Sequence, residues 1–239
     1  MSEERTSDLR RDFESRDVMA QTLASVVAGK LRESVEARGS ACLSVGGGRF
    51  PKPFFRELAK QELPWADVTV VLGDERWVSP EDDASNEKLV RDNLLQGLAA
   101  KASFVGLKTD HHEPMSGLPE IENRLNGLPA LIDVTIVGMG EDGHTASLFP
   151  SATSSELNQA LRPSNQENAA LMHPTVSEVP RITLTLPRLL ASRWVVVAAP
   201  GEGKLRTFEK AMGGDDILAM PVRALLQQAD TPVEFWWAP

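Results

Sequence analysis

Cysteine is nearly absent from this sequence, which has one cysteine in 239 residues. A single thiol excludes an internal disulfide and a cysteine-rich zinc module. That residue, Cys42, lies in the apolar run Ala41–Val45. This setting predicts a thiol that is buried in a strand rather than a catalytic nucleophile.

Long apolar runs are absent as well. The first forty residues are polar and lack the hydrophobic core of a signal peptide. No stretch of the sequence reaches the apolar length that spans a bilayer. We therefore expect a soluble, cytoplasmic protein, with a polar and disordered segment over residues 1–7.

Basic residues are fewer than acidic ones, with 25 Lys and Arg against 34 Asp and Glu and a formal net charge of −9. Binding to nucleic acid or to an anionic membrane requires a basic face on the protein. The charge balance therefore argues against both, and we expect no nucleic-acid partner and no membrane partner.

Hydrophobic residues make up 41% of the sequence, which is enough for a sizeable core in a single domain over residues 1–239. Short apolar runs alternate with segments of helical periodicity, as in α/β proteins. We expect a doubly wound, mainly parallel sheet with helices on both faces. The predicted strands are 41–45, 68–72, 104–107, 132–137, 182–186, 194–199 and 233–237. The predicted helices are a long one over 8–37 and shorter ones near Phe54, after Ser85 as N-cap, near Ile121, near Phe208 and after Pro221, while 151–168 gives no clear pattern.

Four of these strands end in glycine and polar residues. The loops that follow them are 46–49, 73–76, 138–144 and 200–204. Ligands of open α/β sheets bind beyond the carboxyl ends of the strands, and parallel strands bring these ends to one edge. The sequence therefore predicts a site at this edge that contains cations, one histidine and several carboxylates.

The loop after the first of these strands begins with Gly46, Gly47 and Gly48 and continues with the cation Arg49. Backbone N–H groups before a helix can bind an anion, and glycine lets the ligand approach closely. An ordinary tight turn is an equally good interpretation of three glycines, so both interpretations stay open here.

Two further cations follow strand ends. Lys204 lies in the first turn of a predicted helix, where the helix dipole disfavours a positive charge, and this placement is understandable if an anion binds there. Arg76 directly follows a buried strand and could bind an anion or pair with Glu75 or Asp74.

The loop 138–143 matches the pattern G-x-G-x-x-G, but Pro150 interrupts any following helix too early for a dinucleotide-binding fold. The loop also carries Asp142 and His144, which a pyrophosphate turn does not need. A histidine at a glycine-rich strand end can titrate near neutral pH and act as a general base. We therefore interpret Asp142 and His144 as a catalytic pair.

Five blocks of the sequence resemble the 6-phosphogluconolactonase family. The most specific block is 138–150, which reads GMGEDGHTASLFP. The others are 45–51, 74–78 with Ser85 and Asn86 downstream, 181–185 and 201–204. The blocks follow the family's order, so the resemblance covers most of the chain.

The resemblance implies hydrolysis of 6-phosphoglucono-δ-lactone to 6-phosphogluconate in the oxidative pentose phosphate pathway, with no metal and no other cofactor. The histidine of the Asp-Gly-His motif, here His144, is the family's general base. The family's phosphate-binding arginine and lysine correspond to Arg76 and Lys204. We expect Asp142 to orient the imidazole and Asp74 to be available as a further base.

Other positions of the blocks complete the predicted site. The Gly46–Gly48 turn with Arg49, and Arg181 from the fourth block, are expected to bind the substrate. The sequence departs from the family's usual pattern where relatives have hydroxyl residues, because it has Gly46 and Phe50 there. Backbone N–H groups and Arg49 would then replace a hydroxyl contact to the phosphate.

Two alternatives stay open. Glucosamine-6-phosphate deaminases share the architecture, but their family places a catalytic glutamate where this chain has Phe149. A non-catalytic sugar-phosphate-binding protein would also need the basic residues. For either function the partner is a small phosphosugar, and we expect a monomer.

Overall fold

Parallel strands form the main sheet of the computed structural model, which describes residues 9–48 and 50–239. Every neighbouring pair in this seven-stranded sheet is parallel. In their order across the sheet, the strands are β1 (Arg10–Asp12), β10 (Val233–Trp237), β9 (Val195–Ala198), β6 (Val134–Val137), β2 (Ala41–Val45), β3 (Val68–Leu72) and β5 (Ser103–Val105). The parallel sheet with helices around it confirms the predicted α/β class.

A second, smaller sheet is antiparallel. It consists of β4 (Asp74–Arg76), β8 (Arg181–Leu184) and β7 (Ala169–Met172), with β8 in the middle. Only Gly73 separates β3 from β4, so the chain passes directly from one sheet to the other. The predicted strand 182–186 therefore exists, but it belongs to this small sheet.

The helices lie between the strands of the two sheets along the chain. They are α1 (Arg16–Arg38), α2 (Pro51–Ala59), α3 (Asn86–Asn93), α4 (Pro114–Asn126), α5 (Ser154–Leu161), α6 (Leu186–Leu190), α7 (Glu202–Met212) and α8 (Val222–Leu226), with 3₁₀ turns at Trp65–Asp67 and Gly97–Lys101. Ser85 caps α3 as predicted, because its side chain accepts a hydrogen bond from the backbone N–H of Lys88.

The long N-terminal helix is shorter than the predicted range 8–37. It begins at Arg16, where the Ser15 side chain caps it by accepting from the Val18 N–H. The preceding residues Arg10–Asp12 form β1 beside β10 instead. The disorder expected for residues 1–7 concerns a segment outside the described part of the chain.

The core is built on strands that are buried on both faces, as in other parallel sheets. All five residues of β2 are buried, including the thiol of Cys42, as predicted. Burial raises the pKa of the Cys42 thiol to about 12, so it stays protonated and unreactive at neutral pH. In residues 9–48 and 50–239, no helix has both the length and the apolar character to cross a bilayer.

Strand order fixes where a site can form. From β2 the chain continues to β3 and β5 on one side, and then returns to β6, β9 and β10 on the other. The order reverses between β2 and β6, and open α/β sheets bind ligands at such a switch point, beyond the carboxyl ends of the strands.

Candidate active site

A cavity of about 600 Å³ lies at this switch point. The segments that follow β2, β3, β6 and β9, four neighbouring strands, all contribute to its lining. The expectation that these four segments meet at one edge is therefore confirmed, although the segment after β3 is the strand β4 and not a loop.

Most of the predicted site residues line this cavity. They are Gly46, Gly47, Gly48, Asp74, Arg76, His144, Arg181 and Lys204. Asp142 does not line the cavity itself, but it contacts His144, which does. The predicted site residue Arg49 lies outside the described residues.

His144 is held by Asp142. The imidazole Nδ1 lies 2.6 Å from Asp142 Oδ1, and the backbone N–H of His144 donates to the same oxygen at 3.1 Å. An ionised carboxylate can only accept hydrogen bonds. The contact therefore assigns the proton to Nδ1 and leaves Nε2 as the basic nitrogen.

The ionisation of Asp142 agrees with this assignment. Burial alone would raise the pKa of Asp142, but the hydrogen bond and the charge of His144 outweigh it, so that the pKa lies below its ordinary value. Asp142 is consequently a carboxylate at neutral pH and can stabilise a protonated imidazole.

Two neighbours fix the position of the imidazole. A Cβ atom at Gly140 would lie 2.1 Å from His144 Nδ1 and 2.3 Å from Asp142 Oδ1, so the pair fits only against a glycine. On the other side, the ring of Phe149 packs on the imidazole with 4.2 Å between ring centroids. The residues of the most specific sequence block thus surround the histidine.

Arg76 and Arg181 form one basic wall of the cavity. They lie directly opposite each other in the antiparallel pair of β4 and β8. Burial, followed by the positive charge of Arg76, lowers the pKa of Arg181. Like charges in this arrangement are destabilising, and neither arginine has an ion-pair partner within residues 9–48 and 50–239. Arg76 instead donates to the carbonyl of Ala84, and Arg181 donates to the hydroxyl of Ser177. Both partners are neutral, so the two charges can interact with an anion.

Lys204 lies on the opposite side, in the first turn of α7, as predicted. Burial lowers the pKa of Lys204, although the charges of Glu141 and Asp142 oppose the shift. Glu141 also lines the cavity, close to Gly203, where a Cβ atom would lie 2.6 Å from Glu141 Oε1.

The glycine turn lies between the two basic sides. Gly48 has a φ of 109°, which favours glycine. A Cβ atom at Gly47 would lie 1.9 Å from the side-chain oxygen of Asn86, so the turn and Asn86 are in direct contact. That oxygen is buried and has no hydrogen-bond partner among the described residues.

Asp74 links several parts of the site. One carboxylate oxygen accepts from Ser147 Oγ at 2.6 Å, and the other accepts from Asn86 Nδ2 at 3.2 Å. Next to Ser147, Ala146 has a φ of 47°, a conformation that is uncommon outside glycine and frequent at functional sites.

Sequence reasoning missed several lining residues. These are Arg16, Asn86, Glu141, Ser147 and Phe149, of which Phe149 is the residue that packs on His144. Four of them lie in or beside the recognised blocks, so their place in the motifs was a usable signal. Arg16 lies in the first turn of α1 and has no sequence signal of its own.

The fold and the site define an α/β protein with a histidine–carboxylate pair between basic walls at the switch point of the sheet. Residues 14–236 match the family described as glucosamine-6-phosphate isomerases/6-phosphogluconolactonase. The chain belongs to this family, which confirms the resemblance found in the sequence.

The relatives agree in length and sequence over almost the whole chain. A 6-phosphogluconolactonase of Rhizobium meliloti (strain 1021) is 40% identical over 227 residues, which cover 95% of this chain and 97% of the relative. One from Pseudomonas putida is 41% identical over 221 residues, which cover 92% and 89%.

Solved structures give the same result. The crystal structure of a 6-phosphogluconolactonase from Shewanella baltica OS155 has a TM-score of 0.93 and 40% identity and covers 97% of each chain. A monomeric glucosamine-6-phosphate deaminase has a TM-score of 0.77 at 16% identity, and with it the chain shares the fold.

Proposed function

We propose that this chain hydrolyses 6-phosphoglucono-1,5-lactone to 6-phosphogluconate, a step of the oxidative pentose phosphate pathway, with His144 as the general base. Relatives that are about 40% identical over most of the chain and named 6-phosphogluconolactonase support this reaction. The observation that carries the mechanism is the His144–Asp142 pair, 2.6 Å apart, at a cavity with basic walls.

The phosphate is bound by Arg76, Lys204 and the Gly46–Gly48 turn, with Arg181 beside Arg76. Arginine offers paired donors to phosphate oxygens, and lysine acts as a point charge. The net charge of −9 repels a dianion at long range, so these local cations are what attracts the substrate.

The chemical step needs one water and one base. His144 Nε2 takes a proton from water while the water oxygen attacks the lactone carbonyl carbon C1. The tetrahedral intermediate then collapses, the bond from C1 to the ring oxygen breaks, and His144 returns the proton to that oxygen. The carboxylate of Asp142 stabilises the imidazolium between the two transfers, and general-base catalysis of this kind contributes about 10²–10⁴-fold.

Asp74 has a supporting part in this proposal. Both of its oxygens accept hydrogen bonds, from Ser147 and from Asn86. It therefore positions the loop after β6 and the glycine turn, and His144 is the group that moves the proton.

Phe149 favours hydrolysis over deamination. It occupies the position where the resemblance places the glutamate of the deaminases, and its ring packs on His144. The aromatic ring holds the base in place and offers no acid or base of its own.

The test is proton release from freshly prepared 6-phosphoglucono-δ-lactone above the spontaneous rate. His144→Ala should lower kcat/KM by about 10²–10⁴-fold. His173→Ala is the matched control, because His173 forms a similar pair with Glu156 at 2.6 Å away from the cavity, and it should keep full activity. Full activity of the His144 variant would disprove the assignment, and turnover of glucosamine 6-phosphate instead of the lactone would favour the deaminase.

A further inference from the structure

Arg16 is a cation of the cavity for which the proposed reaction has so far no use. It is the first residue of α1 after the cap Ser15, and its side chain is exposed and lines the cavity. A positive charge in the first turn opposes the helix dipole, as at Lys204. A bound anion would favour both of these placements.

The guanidinium of Arg16 lies beside the start of α7. Its Nε donates to the backbone oxygen of Pro239 at 3.0 Å, and a Cβ atom at Gly201 would lie 3.4 Å from Nη2. Gly201 has a φ of 106° and is itself fixed, because its carbonyl accepts from Trp237 Nε1 at 3.0 Å. Lys204 follows three residues later, so Arg16 and Lys204 lie on the same side of the cavity.

The terminal nitrogens of Arg16 are available. Within residues 9–48 and 50–239, Arg16 pairs with no Asp or Glu side chain, and its hydrogen bond to Pro239 uses Nε alone. The bond to Pro239 thus orients the side chain and leaves Nη1 and Nη2 free to donate. Two such donors fit two oxygens of one phosphate.

We propose that Arg16 is a further phosphate-binding residue, which acts together with Lys204. The sequence has Gly46 and Phe50 where the family usually has hydroxyl residues, and Gly46 and Phe50 both line the cavity. Arg16 supplies hydrogen-bond donors to the same cavity, which lacks these hydroxyl groups. This inference rests on the proposed phosphosugar substrate and identifies a residue that binds it.

The test compares Arg16→Gln and Arg16→Lys with Arg32→Gln. Arg32 lies on the same helix and donates to the backbone oxygen of Glu62, away from the cavity, which makes it a matched control. Arg16→Gln should raise KM for the phosphorylated lactone about tenfold at unchanged kcat, because one charge-assisted contact to phosphate is lost. Arg16→Lys keeps the charge and should lose much less.

Binding of 6-phosphogluconate and of inorganic phosphate, measured by calorimetry, gives a readout without turnover. Arg16→Gln should weaken both by a similar factor, and the Arg32 variant should weaken neither. Unchanged affinities in Arg16→Gln would overturn the proposal. A lower kcat and a lower melting temperature at unchanged KM would overturn it too, because they indicate that Arg16 only supports the structure. If the wild-type protein binds 6-phosphogluconate but does not hydrolyse the lactone, the proposed function fails while the binding comparison still decides on Arg16.

Discussion

At the scale of single residues, the position of Lys204 in the cavity changes the pKa of its side chain. The side chain is half-buried, and burial lowers its pKa despite the nearby charges of Glu141 and Asp142. The protonated form binds phosphate, and it is lost as the pH rises through this lowered pKa. A lysine in water keeps its proton to higher pH.

We therefore predict that affinity for 6-phosphogluconate falls at alkaline pH. The fall should begin at a lower pH than it would if the phosphate were bound by a lysine with an ordinary pKa. Lys204→Arg should remove this fall, because arginine stays charged throughout the range. Lys210→Arg, at an exposed position of the same helix, is the control and should keep the wild-type profile. A profile shared by all three proteins would show that another group titrates.

At the scale of elements, Glu75 joins the small sheet to helix α3. Its carboxylate accepts hydrogen bonds from the N–H groups of Arg76, Asn86 and Glu87 and from the Ser85 hydroxyl. Burial raises the pKa of Glu75, while the backbone donors oppose the shift. The middle residue of the Asp-Glu-Arg motif is thus structural, and it places Asp74 and Arg76 at the cavity.

Glu75→Ala should lower the free energy of unfolding by about 3 kcal/mol or more, because several buried donors lose their acceptor. Substrate affinity should fall too, since Arg76 and Asn86 lose their support. Denaturant unfolding measures the change in stability. Glu57→Ala is the control, because the exposed ion pair between Glu57 and Lys60 contributes only about 0–1 kcal/mol. Equal effects of the two substitutions would contradict this role of Glu75.

At the scale of the whole molecule, β2 is the centre of both core and site. It lies between β6 and β3, and the glycine turn follows its last residue. Its residue Leu43 is fully buried. Packing of this strand therefore supports the fold and the position of the substrate-binding loop together.

Leu43→Ala should destabilise the protein by about 2–5 kcal/mol, because it leaves a cavity in a close-packed core. Leu98→Ala is the comparison, at a site that is 50% exposed, and should change stability by less than about 0.5 kcal/mol. Urea unfolding of both variants measures the difference. A cost at Leu43 as small as that at Leu98 would mean that the strand is not packed as described.

The sequence by itself predicted the α/β class, the strands at the centre of the sheet and the family. It also predicted that the site contains His144, Arg76 and Lys204, which line the cavity. These features have local signals: apolar runs mark buried strands, and glycine with charged residues after a strand marks a loop at the binding edge. The family comparisons confirm the reaction expected from the motifs, and the catalytic and binding roles remain predictions.

Tertiary structure alone decided the rest. The polar residues Arg10–Asp12 have no apolar pattern, and they form a strand because β10, which lies far away along the chain, offers them backbone hydrogen-bonding partners. The same long-range packing brings Arg16 to Gly201. Contacts between distant segments leave no periodicity in the sequence, which is why only the folded chain reveals them.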